Sequence, residues 1–409
     1  MFSLPFALRR PFLILRDLIA SRERPDLHAL AEIEEPERFV WAILPHAART
    51  FAACITLLPA RSARAAAVAY LYCRVLDTYE DLVPDRTLRE HALRDFAARF
   101  DVVDGPLPPA PTIADAADRD DRDRAHLLLV HRVGLVDQVF ASLEPATRLV
   151  VRDLVRDMAE GMQWSSATFA AHAGVLPAAD LARYCRHVLG NPVVFSVRLL
   201  RMRYGASPDL APADREDAML VGEMVQLANI TRDIEKDLRR GIAYDPALRP
   251  YLGRDARTDV SMRADIDEVR GRLVRFALSR APAYRRVVDG IHLPKRSVAR
   301  ASAVLMLLFT ERHFRHCARS ADLPAWDGPE STLELLARSV RAAFSAARAN
   351  REMLRVEQAF ANGIYPRTPT WSAATPNVNI VHRTSANPAD PSRRPSSGAD
   401  GKWATDSGR

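Results

Sequence analysis

The stretch Tyr70-Leu71-Tyr72-Cys73-Arg74-Val75-Leu76-Asp77-Thr78-Tyr79-Glu80-Asp81 is predicted to be helical and ends in an acidic cluster. It continues residues 64–69, an alanine-rich run that contains neither proline nor glycine. Alanine and leucine favour helices over strands. We therefore expect one helix over residues 61–82, which stops before Pro84.

The acidic cluster at the end of this helix is predicted to lie on a single face. Residues three and four apart are neighbours on a helix surface, so Asp77, Glu80 and Asp81 project together. Arg74 lies one turn earlier on the same face, and Tyr70 lies two turns earlier. Neighbouring carboxylates repel one another unless water or a cation compensates them. Mg²⁺ prefers such oxygen ligands and completes its shell with water and substrate phosphates. A solvated acidic helix end is the simpler alternative for this cluster taken alone.

A second acidic face is predicted on another helix. Asn229, Asp233 and Asp237 occur at i, i+4 and i+8, which places them on one face over two turns. Gln226 and Arg240 extend that face at its two ends. Two helices that each carry an acidic face beside an arginine could clamp a diphosphate through several Mg²⁺ ions.

The two stretches resemble the paired aspartate motifs of the squalene/phytoene synthase family, the head-to-head prenyl transferases. Other landmarks follow in the order of that family. Residues 48–52 and 57–59 resemble its N-terminal substrate flap, and Gly161-Met162 and Tyr184-Cys185 resemble two middle landmarks. The resemblance spans residues 48 to about 246. It implies an all-α fold: a single-domain, isoprenoid-synthase-type helical bundle with a central prenyl cavity. The scarcity of glycine and of alternating β-branched runs favours the same fold class.

The resemblance also implies four overlapping sets of functional residues. The expected metal ligands are Asp77, Glu80, Asp81, Asn229, Asp233 and Asp237. The expected catalytic residues are Asp77, Asp81, Asp233, Tyr70 and Tyr184. The residues expected to bind the substrate are Arg49, Thr50, Phe51, Arg74, Gln226, Arg232 and Arg240. Aromatic side chains expected to stabilise a cation are Tyr70, Phe51, Tyr184 and Phe195.

The activity that follows from the resemblance is the condensation of two prenyl diphosphates with Mg²⁺, or Mn²⁺ in its place. Loss of diphosphate gives an allylic cation that an apolar cavity must protect from water. The form of residues 77–81 resembles squalene synthases, so we expect farnesyl diphosphate to give presqualene diphosphate and, with NADPH, squalene. Tyr244-x-Pro246 instead resembles the phytoene type, which condenses geranylgeranyl diphosphate without NADPH. A non-catalytic assembly protein of the same fold is a further alternative, and loss of the acids would mark it.

One segment departs from the family pattern, and another is typical of a solvated surface. Residues 189–193 keep one of two expected glycines, and Pro192 is predicted to kink or interrupt the helix there. Asp120 and Asp121 lie in a run of alternating charge that we interpret as solvated and not as metal ligands.

The composition of the chain limits which binding partners and which cellular location we expect. The chain has 409 residues, 48% of them hydrophobic, and a net charge of +7 that comes almost entirely from arginine. This excess reflects either codon bias or attraction to diphosphates and an anionic membrane surface. No recognisable nucleic-acid module is present, so we expect no nucleic-acid partner. Four scattered cysteines predict reduced thiols in a cytoplasmic protein.

We divide the chain into three parts. Residues 1–35 form an N-terminal amphipathic segment that either lies on a membrane surface or packs across the domain. Residues 36–362 form the catalytic domain, with three helices expected after residue 262, and residues 363–409 are a polar tail predicted to be disordered. No run of 18 apolar residues occurs, so we expect no transmembrane helix. The protein is expected to be a cytoplasmic monomer with peripheral contact at the inner face of the membrane.

Overall fold

The computed structural model describes residues 6–19, 25–48, 50–102, 105–114, 119–255, 259–321, 323–324 and 326–364. In these residues the regular structure is helical. The described part contains no β-strand, and Val175 and Ala243 form an isolated parallel bridge. The all-α prediction is confirmed.

Seventeen α-helices occur in the described residues. The first nine are α1 (Phe6–Ile19), α2 (Leu27–Ala31), α3 (Pro36–Ala48), α4 (Thr50–Thr56), α5 (Ala60–Leu82), α6 (Arg86–Ala98), α7 (Asp121–His131), α8 (Val133–Ala141) and α9 (Pro145–Ala171). Then follow α10 (Leu181–Cys185), α11 (Asn191–Arg203), α12 (Pro212–Arg239), α13 (Val260–Leu278), α14 (Ala281–Gly290), α15 (Val298–Ser320), α16 (Thr332–Ala343) and α17 (Ala346–Ile364). Short 3₁₀ turns cover Arg99–Asp101, Ala178–Asp180 and Pro246–Tyr251.

Helix α5 lies at the centre of the first half of the bundle. The small alanines of residues 63–69 are mostly buried, which lets α3, α7 and α9 approach this helix closely. Tyr72 and Tyr79 are fully buried farther along α5. The Tyr72 hydroxyl donates a hydrogen bond to Asp137, 2.9 Å away, so the aromatic core also satisfies a buried polar group. This packing fixes the rotation of α5, and its acidic end therefore has a defined direction.

Helix α12 carries the second acidic face and packs closely against a π-helical turn. That turn covers Arg186–Gly190 and joins α10 to α11, with Pro192 in the first turn of α11. Pro192 was predicted to kink or interrupt the helix. The helical run instead continues from Leu181 to Arg203 through this π turn, so the helix is not interrupted and the change of hydrogen-bonding pattern lies just before Pro192. Gly222 of α12 touches Gly190, because a Cβ added at Gly222 would lie 2.3 Å from the backbone nitrogen of Gly190. Only glycine permits this approach.

Helix α1 packs across the domain, which was one of the two alternatives for the N-terminal segment. Arg10 donates hydrogen bonds to the carbonyl oxygens of Thr56 and Leu58, at 2.9 and 2.7 Å. The ring of Phe6 lies 4.9 Å from that of Trp41. These contacts place α1 against the bundle, while contact of this segment with a membrane stays a prediction.

The C-terminal region differs from expectation. Five helices, α13–α17, follow residue 259 in the described part, not the three that we predicted. Helix α14 begins at Ala281 after a short break, with Pro282 in its first turn, and the break between α16 and α17 spans only Phe344 and Ser345. The chain divides into a compact unit, Met1–Pro366, and a second unit, Arg367–Arg409. The predicted disordered tail lies outside the described residues from residue 365 onward.

Among the described helices, none combines the length and the apolar character needed to cross a membrane.

Candidate active site

The acidic faces of α5 and α12 line one polar cavity of about 850 Å³. The cavity brings together all six side chains that were predicted to bind metal, namely Asp77, Glu80, Asp81, Asn229, Asp233 and Asp237. These residues come from stretches more than 140 positions apart in the sequence. The i+3 and i+4 spacings therefore place the acids of each helix on one face, as predicted. The packing of the helices directs both faces toward the same cavity.

Arg74 anchors the α5 side of the cavity. Its Nη1 lies 3.1 Å from Oδ2 of Asp77, which is on the next turn of the helix. Its Nε donates to the carbonyl oxygen of Ala47, and its Nη2 donates to the Tyr70 hydroxyl, each at 3.1 Å. These bonds hold the guanidinium in place, so its charge is fixed beside the acidic cluster before any ligand arrives.

The other two acids of α5 have partners on different helices. The Ser165 hydroxyl of α9 donates to Oε1 of Glu80 at 3.3 Å. Arg240, which follows the last residue of α12, donates from Nη1 to Oδ1 of Asp81 at 3.4 Å. Asp81 is thus linked directly to the helix that carries the second acidic face.

The α12 side of the cavity combines amide and charged groups. Asn229 donates from Nδ2 to Oε1 of Gln226 at 3.1 Å. The guanidinium of Arg232 makes two hydrogen bonds to the Asp233 carboxylate, at 3.0 and 2.8 Å. Lys236 lies one turn beyond Arg232 and lines the cavity as well. Each acidic face therefore has cationic groups beside it, which a diphosphate with bound cations can contact.

Crowding and burial make several of these acids hard to ionise. Burial raises the pKa of Glu80 to about 8, and the nearby Asp81 and Asp77 add to the rise. Burial likewise raises the pKa of Asp237 to about 7, with Asp233 contributing. The pKa of Asp77 rises to about 6 for the same reason, although Arg74 opposes the shift. A bound cation would relieve this repulsion, so the cavity favours a positively charged ligand.

Two tyrosine rings line the polar cavity, and a third aromatic ring packs against them. The hydroxyl groups of Tyr184 and Tyr244 lie 3.2 Å apart, and their ring centroids lie 5.2 Å apart. Phe169 packs edge-on against both rings. Burial raises the pKa of each tyrosine well above its usual value, so both stay neutral. Neutral rings at the edge of an acidic cavity can face a carbocation without supplying a nucleophile.

A second, apolar cavity of about 290 Å³ adjoins the polar one. Residues that line both cavities include Phe51, Tyr70, Arg74, Asp77 and Asn229. Farther from the acids the lining is aliphatic and aromatic, with side chains such as Leu58, Phe195, Leu200, Ile291 and Met306. The two cavities together present a charged end and an apolar end, which matches an amphiphilic ligand with an anionic head.

The structure places most of the predicted substrate residues at these cavities. Thr50, Phe51, Arg74, Gln226, Arg232 and Arg240 all line the polar cavity, as do Tyr70 and Tyr184. Arg49 lies outside the described residues. Phe195 lines the apolar cavity only.

Residues that the sequence did not indicate as site residues also line the polar cavity. The polar and aromatic ones among them are His46, Asp120, Asp121, Arg122, Lys236 and Tyr244. Asp120 and Asp121 are exposed, as expected for a solvated run, yet they face the cavity because α7 begins there. Asp120 caps α7 by accepting a hydrogen bond from the backbone nitrogen of Asp123 at 2.8 Å. A capping residue followed by the apolar run from Ala125 was the available signal for this helix start.

The donor set fits Mg²⁺ only if the substrate takes part. Five carboxylates and one amide oxygen are hard donors of the kind that Mg²⁺ prefers. Within the described residues, no three carboxylate, imidazole or thiolate groups are arranged to hold an ion on their own. Mg²⁺ commonly keeps several waters and uses one or two carboxylates together with substrate phosphates. The division of the donors between two helix faces of one cavity fits that mode of binding.

Comparison with known proteins agrees with this site. A family model described as squalene/phytoene synthase matches residues 44–327. The chain is 27% identical to Botryococcus squalene synthase of Botryococcus braunii over 226 residues, which cover 53% of this chain and 42% of that protein. It is 25% identical to 15-cis-phytoene synthase of a Synechocystis species over 281 residues, which cover 67% of this chain and 73% of that protein. The match to the Botryococcus protein thus spans less than half of that relative's length.

Solved structures share the fold. The complex of TcSQS with the ligand BPH1237 superposes with a TM-score of 0.61 at 18% sequence identity, covering 83% of this chain and 94% of that one. The complex of TcSQS with E5700 gives the same TM-score at 19% identity, covering 82% and 94%. At this level of identity the likeness shows a common helical fold.

Proposed function

The chain belongs to the squalene/phytoene synthase family, and we propose that it condenses two prenyl diphosphates head to head. The observation that carries the proposal is the shared cavity of α5 and α12. Two acidic helix faces meet at a polar space of about 850 Å³ that continues into an apolar one. An anionic head group and a hydrocarbon chain in one molecule would occupy both spaces. A non-catalytic role for this fold is disfavoured because all six predicted ligands are present at the cavity.

Mg²⁺ would be held by the carboxylates of Asp77, Glu80, Asp81, Asp233 and Asp237 with the amide oxygen of Asn229, and Mn²⁺ could replace it. When bound, the cation neutralises the charge that develops on the departing diphosphate.

The chain's own cationic groups orient the diphosphate. Arg74 is held rigidly by Ala47 and Tyr70, so its remaining N–H groups are available at a fixed position. Arg232 and Arg240 lie on the opposite wall and now bind Asp233 and Asp81. Each can exchange a carboxylate for a phosphate oxygen at small cost, because guanidinium groups bind both in the same bidentate way.

The apolar end protects the reactive cation. Phe51 and Tyr70 have ring centroids 5.8 Å apart at the boundary between the two cavities. A cation formed there would face aromatic rings rather than water, and the neutral Tyr184 and Tyr244 line the other side. The second prenyl double bond then attacks this cation, and the tertiary cation that results loses a proton to the departed diphosphate as it closes to the cyclopropane ring of the family's product.

We propose farnesyl diphosphate as the substrate, with presqualene diphosphate and, when NADPH is supplied, squalene as products. The form of residues 77–81 supports this choice. Geranylgeranyl diphosphate is the second candidate, because the phytoene-like Tyr244-x-Pro246 places Tyr244 in the cavity beside Tyr184. Identity to a squalene synthase and to a phytoene synthase is similar, 27% and 25%, and so does not choose between them.

Product analysis tests the proposal. Purified full-length protein is incubated with Mg²⁺ and either C15 or C20 diphosphate, with and without NADPH. We expect presqualene diphosphate from the C15 substrate and squalene once NADPH is added. A C40 product from the C20 substrate alone would refute the choice of substrate and keep the condensation. Absence of any condensed product from both substrates would refute the proposed reaction.

A further inference from the structure

Helix α16 is apolar on two opposite faces. Its inner face, which includes Leu335, Leu336 and Ala342, is buried against the bundle. A helix that is apolar on both sides needs a second apolar environment. We therefore expect the exposed outer face of α16 to contact another molecule.

The outer face forms a narrow exposed stripe. Leu333 is 73% exposed, Val340 is 43% exposed, and Phe344, directly after the helix, is 64% exposed. With the exposed Ala337 these residues are spaced by four, three and four positions, so they lie within a narrow arc of one helix face. Seven large hydrophobic residues are exposed in the described part of the chain. Three of them thus lie on α16 or directly after it. A cluster of this kind marks an interaction surface more often than scattered apolar residues do.

The unpaired charge around this stripe is positive. Residues 330–352 contain four arginines and three acids, and the acids Glu330, Glu334 and Glu352 are each paired with an arginine. Glu334 is already paired with Arg338, whose Nη2 lies 2.8 Å from its Oε1. Arg341 bonds only to the backbone of its own helix, at the carbonyl oxygen of Ala337. The side chains of Arg348 and Arg351 are exposed and make no hydrogen bond or ion pair within the described residues.

We propose that this apolar stripe, formed by Leu333, Ala337, Val340 and Phe344, docks on an anionic lipid surface together with the exposed Arg341, Arg348 and Arg351. An exposed apolar stripe with flanking arginines is the composition of helices that lie in the plane of a membrane interface. The apolar side chains enter the acyl boundary while the arginines contact lipid phosphates. The inference goes beyond the proposed reaction and does not depend on it.

A second copy of the chain fits this face less well. A two-fold interface brings the same patch of each subunit together, so these arginines would approach one another. The acids beside the stripe, Glu330, Glu334 and Glu352, are already paired with arginines of the same chain and offer little counter-charge. Anionic head groups supply the missing charge directly.

Vesicle binding of the full-length protein tests this docking. Vesicles of phosphatidylcholine mixed with phosphatidylglycerol are compared with vesicles of phosphatidylcholine alone, by co-sedimentation at low and raised salt. The wild type is expected to bind the anionic vesicles and to be released by salt. The variant Leu333→Ser/Val340→Ser/Phe344→Ser is expected to bind at least about tenfold more weakly. The variant Arg341→Gln/Arg348→Gln/Arg351→Gln is expected to lose about fivefold for each arginine removed, on anionic vesicles only.

Control variants locate the surface. Leu88→Ser/Leu149→Ser removes two residues of similar exposure from other helices and should leave binding unchanged. Leu8→Ser/Phe12→Ser tests the exposed residues of α1. If that variant loses binding while the α16 variants keep it, the docking face is α1 and the proposal is overturned. The proposal also fails if neither vesicle type binds, or if light scattering shows a dimer that the α16 serine variant converts to a monomer.

Discussion

Arg240 and Asp81 join the ends of the two acidic helices, with Nη1 and Oδ1 3.4 Å apart. The two residues are separated by 159 positions in the sequence. Both side chains are partly exposed, at 39% and 49%, so their ion pair contributes only about 0–1 kcal/mol to stability. The position of the pair at the mouth of the polar cavity is therefore better explained by ligand binding than by stability.

The first prediction separates these two roles. Asp81→Asn and Arg240→Gln should each leave the melting temperature nearly unchanged, because the pair is weak. Each should lower turnover by about 10²–10³, the usual loss when a preorganised electrostatic contact to the reacting group is removed. Thermal unfolding and product formation are measured on the same samples. Arg86→Gln breaks the exposed Arg86–Glu90 pair away from the cavity and serves as the control. A large loss of melting temperature with unchanged turnover would assign the Arg240–Asp81 pair to stability.

The second prediction concerns pH in the absence of metal. The pKa of Glu80 in the folded protein is raised to about 8 by burial, above its ordinary value. The folded state then holds a proton that the unfolded state has released, between about pH 4 and about pH 8. Stability of the metal-free protein should therefore fall as the pH rises through this window. Thermal unfolding in chelator checks the trend.

Glu80→Gln supplies the matched variant for that experiment. Glutamine cannot ionise and is close in shape, so the variant should lose part of the dependence and become more stable than the wild type near pH 8. The physical account of Glu80 is wrong if the two proteins follow the same pH curve.

The third prediction concerns the contact between Gly222 and Gly190. Gly222→Ala places a methyl group 2.3 Å from the backbone nitrogen of Gly190, where backbone must move. We expect a loss of about 1–3 kcal/mol in the free energy of unfolding. Gly134→Ala is the control, since its added Cβ meets no atom within 4 Å and alanine favours helix. It should be neutral or stabilising by up to about 1 kcal/mol. Equal effects of the two substitutions would contradict the packing described here.

The fourth prediction concerns the tyrosine pair. Tyr184→Phe or Tyr244→Phe leaves one partly buried hydroxyl without its partner, which costs up to about 1–3 kcal/mol in each single variant. The double variant removes both hydroxyls, so its loss should be smaller than the sum of the two single losses. Chemical unfolding of the four proteins gives this double-mutant cycle. Strictly additive losses would show that the two hydroxyls do not interact.

The sequence predicts the helices and faces that depend on local spacing. The acids of α5 and α12 recur at three and four residues, so their common faces follow from helix geometry without any knowledge of packing. The break between α16 and α17 was missed because Phe344-Ser345 contains neither proline nor glycine. A break without such a residue is set by how the two helices pack, and this information is not local.

The rest of the site depends on contacts between distant parts of the chain. Tyr244 reaches Tyr184 across 60 positions, and no spacing rule connects them. Arg122 lies in a run of alternating charge, where no apolar periodicity indicates which side faces inward. Its place on the cavity wall follows from the packing of α7 on α5, which only the folded structure provides.

The central claim is that both acidic helix faces act together on one diphosphate through divalent cations. Calorimetric titration of the full-length protein with inorganic pyrophosphate tests it most directly, with Mg²⁺ and then with excess chelator. We predict binding that requires Mg²⁺ and falls at least about tenfold in Asp77→Asn on α5 and equally in Asp233→Asn on α12. Glu90→Gln, an acid outside the cavity, should bind as the wild type does. Full binding in chelator, or binding that depends on only one of the two helices, would contradict the account.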